Sequence, residues 1–264
     1  GPGGRPVARS RGSRPNRWLS VAVPELPEVE TVRRGLLPAV VGRRIERVDV
    51  GRERTVRRTS RQALVDGLTG VTVLDVRRRG KYLLAPLDSG YWMMVHLRMS
   101  GRLLIASAGS PRPAHTHVAL SFGPEELWFV DPRTFGEVVV YDPENAAVEM
   151  PELARLGVDP IVDPFDRSVL KSALSGTSRA VKTVLLDQHR IAGLGNIYTD
   201  EVLHRARVRY DRPASALRPA EIDRLATAIT SVLEDAIAAG GSTLDDTQYV
   251  DVEGRTGAFQ HQHL

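Results

Sequence analysis

The stretch 21-VAVPELPEVETVRRGL-36 sets two prolines and three glutamates, 24-PELPEVE-30, directly ahead of an apolar-periodic run. Val29, Val32, Leu36, Leu37 and Val40 fall on one helical stripe. Pro27 suits a first turn and Gly42 a stop, so the pattern predicts a helix over 28–41. On residue type alone, acids at a helix mouth are a favourable pairing with the helix dipole. Residues 1–20 are rich in Gly, Pro, Arg and Ser and show no periodicity. That composition predicts disorder, and the absence of a 7–15-residue apolar core excludes a secretory signal there.

Downstream, short apolar runs alternate with turn signals: 45-IERVDV-50, 71-VTVLDV-76, 82-YLLAPL-87, 91-YWMMVHL-97, 102-RLLIA-106, 117-HVALSF-122, 127-LWFVD-131 and 137-EVVVYD-142. This spacing predicts an antiparallel sandwich or barrel. Beyond about residue 152 the period changes, and helices are expected over 166–175, 179–188 and 196–207. The strongest is 219-PAEIDRLATAITSVLEDAIAAGG-241, opened by Pro219 and closed by Gly240-Gly241. The expected class is therefore α+β, a β-rich half followed by a helical half. The expected division is an extension over 1–23, a β-sandwich over 24–150, a linker over 151–165 and a helical domain over 166–264.

The chain is 42% hydrophobic and 26% charged, as globular chains are, and has no cysteine, which excludes disulfides and thiolate metal sites. No apolar run approaches the roughly 18 residues of a membrane span. The net charge of +4 is misleading. Arg5, Arg9, Arg11, Arg14 and Arg17 all lie in the first 23 residues, and without them 31 basic residues face 32 acidic ones. Local clusters are more informative: eight arginines within 43–61 and 77-RRRGK-81 suit phosphate contacts or a plain solvated surface. In 189-HRIAGLGNIYTDEVL-203, Gly193 and Gly195 allow a tight turn and Asn196 can cap a helix whose free amides attract an anion. A plain turn between two helices reads the same stretch equally well.

Six segments in order, 24-PELPEVETVRRGL-36, 79-RGKYLL-84, 96-HLRMSGRL-103, 131-DPRTFG-136, 193-GLGNIYTDEVL-203 and 240-GGSTL-244, resemble the formamidopyrimidine-DNA glycosylase family from Pro24 to the last residue. Leu26 sides with the oxidised-purine branch, since the related endonuclease VIII group opens with a Pro-Glu-Gly-Pro type of sequence. The resemblance implies a bifunctional glycosylase and abasic-site lyase acting on duplex DNA with oxidised bases or abasic sites, as a cytoplasmic monomer without membrane contact. It implies a helix–two-turns–helix motif in the helical half. It makes Pro24 the nucleophile through its amine, Glu25 the proton shuttle, Glu28 its assistant, and Lys81 a grip on the phosphate near the lesion. His96, Asn196, Lys182, Gly195 and Arg133 match DNA-contacting positions. Met99, Arg133 and Phe135 match the residues that fill the space of an extruded nucleotide, where an apolar wedge offsets an unstacking cost of a few kcal/mol. Ser242, Thr243 and Tyr249 lie in a polar segment resembling the loop over the extruded purine.

Three features depart from the family pattern. Pro24 follows Val23, so its nitrogen is an amide without a usable lone pair. Residues 1–23 are expected to be a disordered or non-native extension, with Val23 standing for an initiator methionine; a segment removed by processing and a genuine blocking extension are the other readings. The four-cysteine zinc finger usual in the family has no counterpart, and His261 and His263 alone are a poor metal site, so no cofactor is expected. Thr134 replaces a second arginine found in many members. Two other functions remain open: a blocked protein that binds lesions without cutting, and a glycosylase of the endonuclease VIII type for oxidised pyrimidines.

Overall fold

The computed structural model describes residues 23–242 and 250–259. The first helix, α1, runs Leu26–Val40. It begins earlier than periodicity predicts because Glu25, in extended backbone, serves as the N-cap, and its own N–H donates to Glu28 Oε2 at 2.9 Å. Val29, Val32, Leu36 and Val40 are buried on the stripe the spacing predicts.

Eight strands form two antiparallel four-stranded sheets among the described residues. One sheet has the order β1 (Arg47–Val50), β6 (Thr116–Ser121), β7 (Glu125–Val130), β5 (Arg102–Ser107). The other has β2 (Arg77–Arg79), β3 (Tyr82–Pro86), β4 (Trp92–His96), β8 (Glu137–Tyr141). Alternation at period two sends Leu83, Met93, Val95 and Val138 of one sheet, and Leu103, Val118, Leu127 and Phe129 of the other, into a shared core with α1. The opposite face of the second sheet, with Tyr82, Met94, Val139 and Tyr141, packs on Met150.

Two sequence expectations need correction. The run 71–76 makes only isolated bridges, Arg44 to Thr72 and Val73 to Leu87, and the chain pairs as a strand one step later, over Arg77–Arg79. The helix α2, Arg61–Leu68, is absent from the sequence reading: its N-cap Ser60 accepts from Ala63 N–H at 3.0 Å, and it buries Leu64 and Leu68.

Two single turns, α3 (Ala146–Glu149) and α4 (Pro151–Ala154), pack on the outer face of the second sheet and lead into the helical half. That half comprises α5 (Arg167–Leu174), α6 (Val181–Leu185), α7 (Asn196–Ala206) and α8 (Pro219–Ala238). α6, the turns over 186–195 and α7 make a helix–two-turns–helix unit packed on α8. The two halves interlock. Leu26 sits in the helical core and its N–H donates to Gly193 C=O at 3.0 Å. Arg78, 1% exposed at its side chain, pairs with Glu30 of α1 and with fully buried Asp159. Val252 enters the sandwich core while Phe259 enters the helical one, so residues 250–259 span both.

Candidate active site and nucleic-acid interface

A cleft of about 640 Å³ opens between the sheets' end and the helical half; Val23, Lys81, His96, Met99, Phe135 and His189 are on its wall. Pro24 is buried at the mouth of α1, next to Val23. The adjacent carboxylate points into α7. Glu25 accepts from Gly195 N–H at 2.6 Å, Ile197 N–H at 2.9 Å and Tyr198 N–H at 3.3 Å. It therefore occupies the anion site at the head of α7. Asn196 itself is exposed there as the first residue of the helix. Glycine is required at both turn positions. Gly193 has φ +102, and a Cβ there would lie 2.5 Å from Leu26 Cδ1; a Cβ on Gly195 would run into the Glu25 carboxyl.

Burial raises the Glu25 pKa, while the Lys81 charge and the three amides oppose it. Glu28, one turn on, accepts from Tyr198 O–H at 2.5 Å and from Ser242 N–H at 2.7 Å. Burial is the main cause that carries its pKa to about 7, with Glu25 adding to the rise. Lys81 lies just after the Gly80 turn and is half-buried in the cleft wall. Desolvation holds its pKa below the ordinary lysine value against the pull of Glu25 and Glu28. Among the described residues no hydrogen bond or ion pair engages its ammonium. A lysine at the top of its range would be a poor proton partner; this one is brought toward working pH beside two carboxyls moved the other way.

Three further expected residues lie on the two loops that carry the chain from one sheet to the other. The β4–β5 turn holds Met99, and the β7–β8 turn holds Arg133 and Phe135. Buried Asp131 ties the two together: it accepts from Ser100 O–H at 2.5 Å, Arg133 N–H at 3.2 Å and Gly136 N–H at 2.7 Å. Arg133 stacks on Phe135 with its guanidinium 5.2 Å from the ring centre. Thr134, at φ +57, turns the chain between them. Phe135 is among the large apolar side chains left exposed, at 36%. His96 ends β4, edge-on to Tyr82 at 4.4 Å, and burial lowers its pKa to about 3 with Arg98 and Lys81 adding to the fall.

Lys182 lies apart from this group, paired with Asp200 at 2.7 Å on the α6–α7 face. Ser242 is placed beside Glu28; Thr243, Tyr249, His261 and His263 lie outside the described residues. Sequence reading missed Arg57, Arg98 and Tyr198. Arg98 and Tyr198 sit inside quoted motifs, and Arg57 lies in the arginine-rich run 43–61, which does not single it out from its neighbours. With no cysteine, and no cluster of three potential metal ligands among the described residues, this donor set does not suit the zinc site usual in the resembled family.

Family models for the formamidopyrimidine-DNA glycosylase N-terminal domain and H2TH domain match residues 23–138 and 156–248. The formamidopyrimidine-DNA glycosylase of Salinispora arenicola is 46% identical over 90% of this chain and 83% of its own length. The chain belongs to the formamidopyrimidine-DNA glycosylase family. Among solved structures, Lactococcus lactis Fpg in complex with abasic-site DNA has a TM-score of 0.81 at 33% identity, covering 90% of this chain and 86% of that one. The wild-type form of the same Fpg with N7-benzyl-Fapy-dG DNA gives 0.82 at 33% identity, covering 91% and 87%. A family of DNA glycosylases accounts for an anion-binding helix head, an exposed aromatic and a basic cleft wall on one face. In the described residues no helix is long and apolar enough to cross a membrane.

Proposed function

We propose that this chain, with Pro24 as a free amino terminus, is a DNA glycosylase with abasic-site lyase activity that removes oxidised purines from duplex DNA in base excision repair. The observation that carries the reading is Glu25, buried beside Pro24, seated on the α7 amides and electrostatically coupled to Lys81. In this reading the 24–150 half performs the chemistry and the 166–264 half grips DNA. The Pro24 nitrogen bonds to the sugar carbon bearing the damaged base, the bond to the base breaks, and the departing base takes up the proton that the new ammonium sheds, which restores the nitrogen lone pair. Glu25, its pKa raised, delivers a proton to the ring oxygen as the ring opens. The nitrogen lone pair then forms an iminium, which acidifies the neighbouring carbon. Glu25, now a carboxylate, takes that proton and one phosphate leaves by β-elimination; loss of a second sugar proton expels the other phosphate by δ-elimination, and water hydrolyses the iminium to free Pro24. Lys81, His96 and Asn196 hold phosphates; Met99, Arg133 and Phe135 enter the vacated stack; Ser242 stands where the segment assigned to the extruded base begins. The work is done in the cytoplasm, on DNA, by a monomer.

A free α-amine titrates at about 7.7–8.0, well below lysine at about 10.4, so a terminal proline is nucleophilic near neutrality. In the 264-residue sequence that nitrogen is the Val23–Pro24 amide. This bond favours a second reading, a lesion binder that does not cut. Borohydride trapping separates them, with duplex DNA carrying one 8-oxoguanine, the full chain, and a chain beginning at Pro24. The expected result is strand cleavage and a covalent adduct only with the chain beginning at Pro24. Equal adducts from both would remove Pro24 from the role. Tight lesion binding without cleavage by either would establish the binder, and faster release of an oxidised pyrimidine would overturn the choice of base.

A further inference from the structure

Arg57 follows a 3-10 turn, Glu53–Val56, that is pinned into the sandwich core by fully buried Val56. One terminal nitrogen of its guanidinium donates to the carbonyl of Phe135 at 2.9 Å and to Glu137 Oε1 at 2.9 Å. Glu137 is the first residue of β8, 2% exposed, and Arg98 Nη2 reaches the same oxygen at 2.9 Å while Arg58 Nε takes the other at 2.6 Å. Arg58 in turn pairs with Glu152 of α4. Burial opposes ionisation of Glu137, but hydrogen bonds from Arg58, Arg57 and Arg98 outweigh it and bring its pKa to about 2. One buried carboxylate thus gathers three arginines from two separate segments. Arg57 and Arg98 both stand on the cleft wall next to Met99 and Phe135.

The Phe135 loop needs such a support. Asp131 holds it from inside through the amides of Arg133 and Gly136, but nothing in that set restrains the carbonyl of Phe135. Arg57 does, from the cleft side. A wedge that must push between stacked bases has to be stiff, because a loose side chain yields instead of the stack. A planar guanidinium held against a buried carboxylate gives that stiffness, and a lysine on its flexible four-carbon stem gives less of it.

We propose that Arg57 and Glu137 are positioning residues that mount Phe135 for insertion into the DNA stack, with Arg98 completing the mount. The inference rests on the wedge role of Phe135 given above. Its test uses the 264-residue chain and a duplex carrying a tetrahydrofuran abasic analogue with 2-aminopurine in the opposite strand. This readout reports stacking and needs no reactive amine. At saturating protein the parent chain changes the fluorescence by a full amplitude. Arg57→Ala and Glu137→Gln lose most of that amplitude, and Arg57→Lys recovers part of it. A thermal melt of each variant checks that the fold persists, and the affinity is fitted from the same titration.

Phe135→Ala decides which claim fails. If Phe135→Ala keeps the full amplitude, the wedge reading fails and the mount fails with it. If Phe135→Ala loses the amplitude while Arg57→Ala and Glu137→Gln keep it, the mount alone is overturned. A fall in affinity with the amplitude intact would make Arg57 a plain backbone contact and would also overturn it.

Discussion

At the scale of single residues, His96 shows how a contact expected from a family pattern takes on a definite chemistry. Its Nδ1 accepts the Arg98 N–H at 2.9 Å, which leaves the proton of a neutral ring on Nε2. Burial, and then the charges of Arg98 and Lys81, bring its pKa to about 3. In the proposed phosphate contact His96 would act as a neutral donor, with the charge at that spot supplied by its neighbours Arg98 and Lys81. Nitrogen-15 NMR of the imidazole should show the Nε2–H tautomer unchanged from pH 7.5 to pH 5. A titration near pH 6.5 would refute this. Glu25 shows the same dependence on surroundings. An acid beside proline reads as an ordinary helix opener, and only the three amides of α7, about 170 residues away, make it an anchored carboxyl.

At the scale of elements, the mouth of α1 packs closely on the turn that leads into α7. Gly193→Ala would impose two costs there: a non-glycine residue at φ +102 and a Cβ 2.5 Å from Leu26 Cδ1. Together they should lower stability by about 2–4 kcal/mol, read as an earlier midpoint in denaturant unfolding. A midpoint within error of the parent would show that the joint is soft. Elements that carry their own periodicity, such as α1, α8 and the alternating strands, were legible because burial on one face writes a period into the chain. Where polarity hides the pairing, reading failed. Arg77–Arg79 looks like surface charge, yet Arg78 is buried because Glu30 and Asp159 meet it from distant parts of the sequence. Asp159 falls in the stretch expected to be a linker, and nothing in 151–165 signals that it clamps Gly80 N–H at 2.8 Å and so fixes the turn before Lys81. The site divides in the same way. Motif order singled out Pro24, Glu25, Lys81, Met99 and Phe135 as candidates, while Arg57 stood out from the arginine run 43–61 only through a hydrogen bond across 78 residues.

At the scale of the whole molecule, the buried acids and bases of the site set the pH dependence of stability, and two of them work in opposite directions. Glu28 has its pKa raised from 4.5 to about 7 by burial, so the folded chain holds a proton that the unfolded chain releases between those values. Its contribution is fully present below pH 4.5 and fades as pH rises through 7. His96 has its pKa lowered from 6.5 to about 3, so the unfolded chain takes up a proton that the folded chain refuses. Its contribution is fully present above pH 6.5 and fades as pH falls toward 3. Between pH 4.5 and 6.5 the two slopes oppose each other, each at most about 1.4 kcal/mol per pH unit. Glu28→Gln removes one of them, so its stability should climb more steeply with pH than the parent's across that window. His96→Gln removes the other and should climb less steeply, or fall. Guanidinium unfolding of the three proteins at pH 4.5, 5.5 and 6.5 measures both differences at once. Slopes that shift in the same direction for the two variants would contradict the assigned protonation states, and with them the picture of a cleft whose acid is kept protonated and whose imidazole is kept neutral by the same burial.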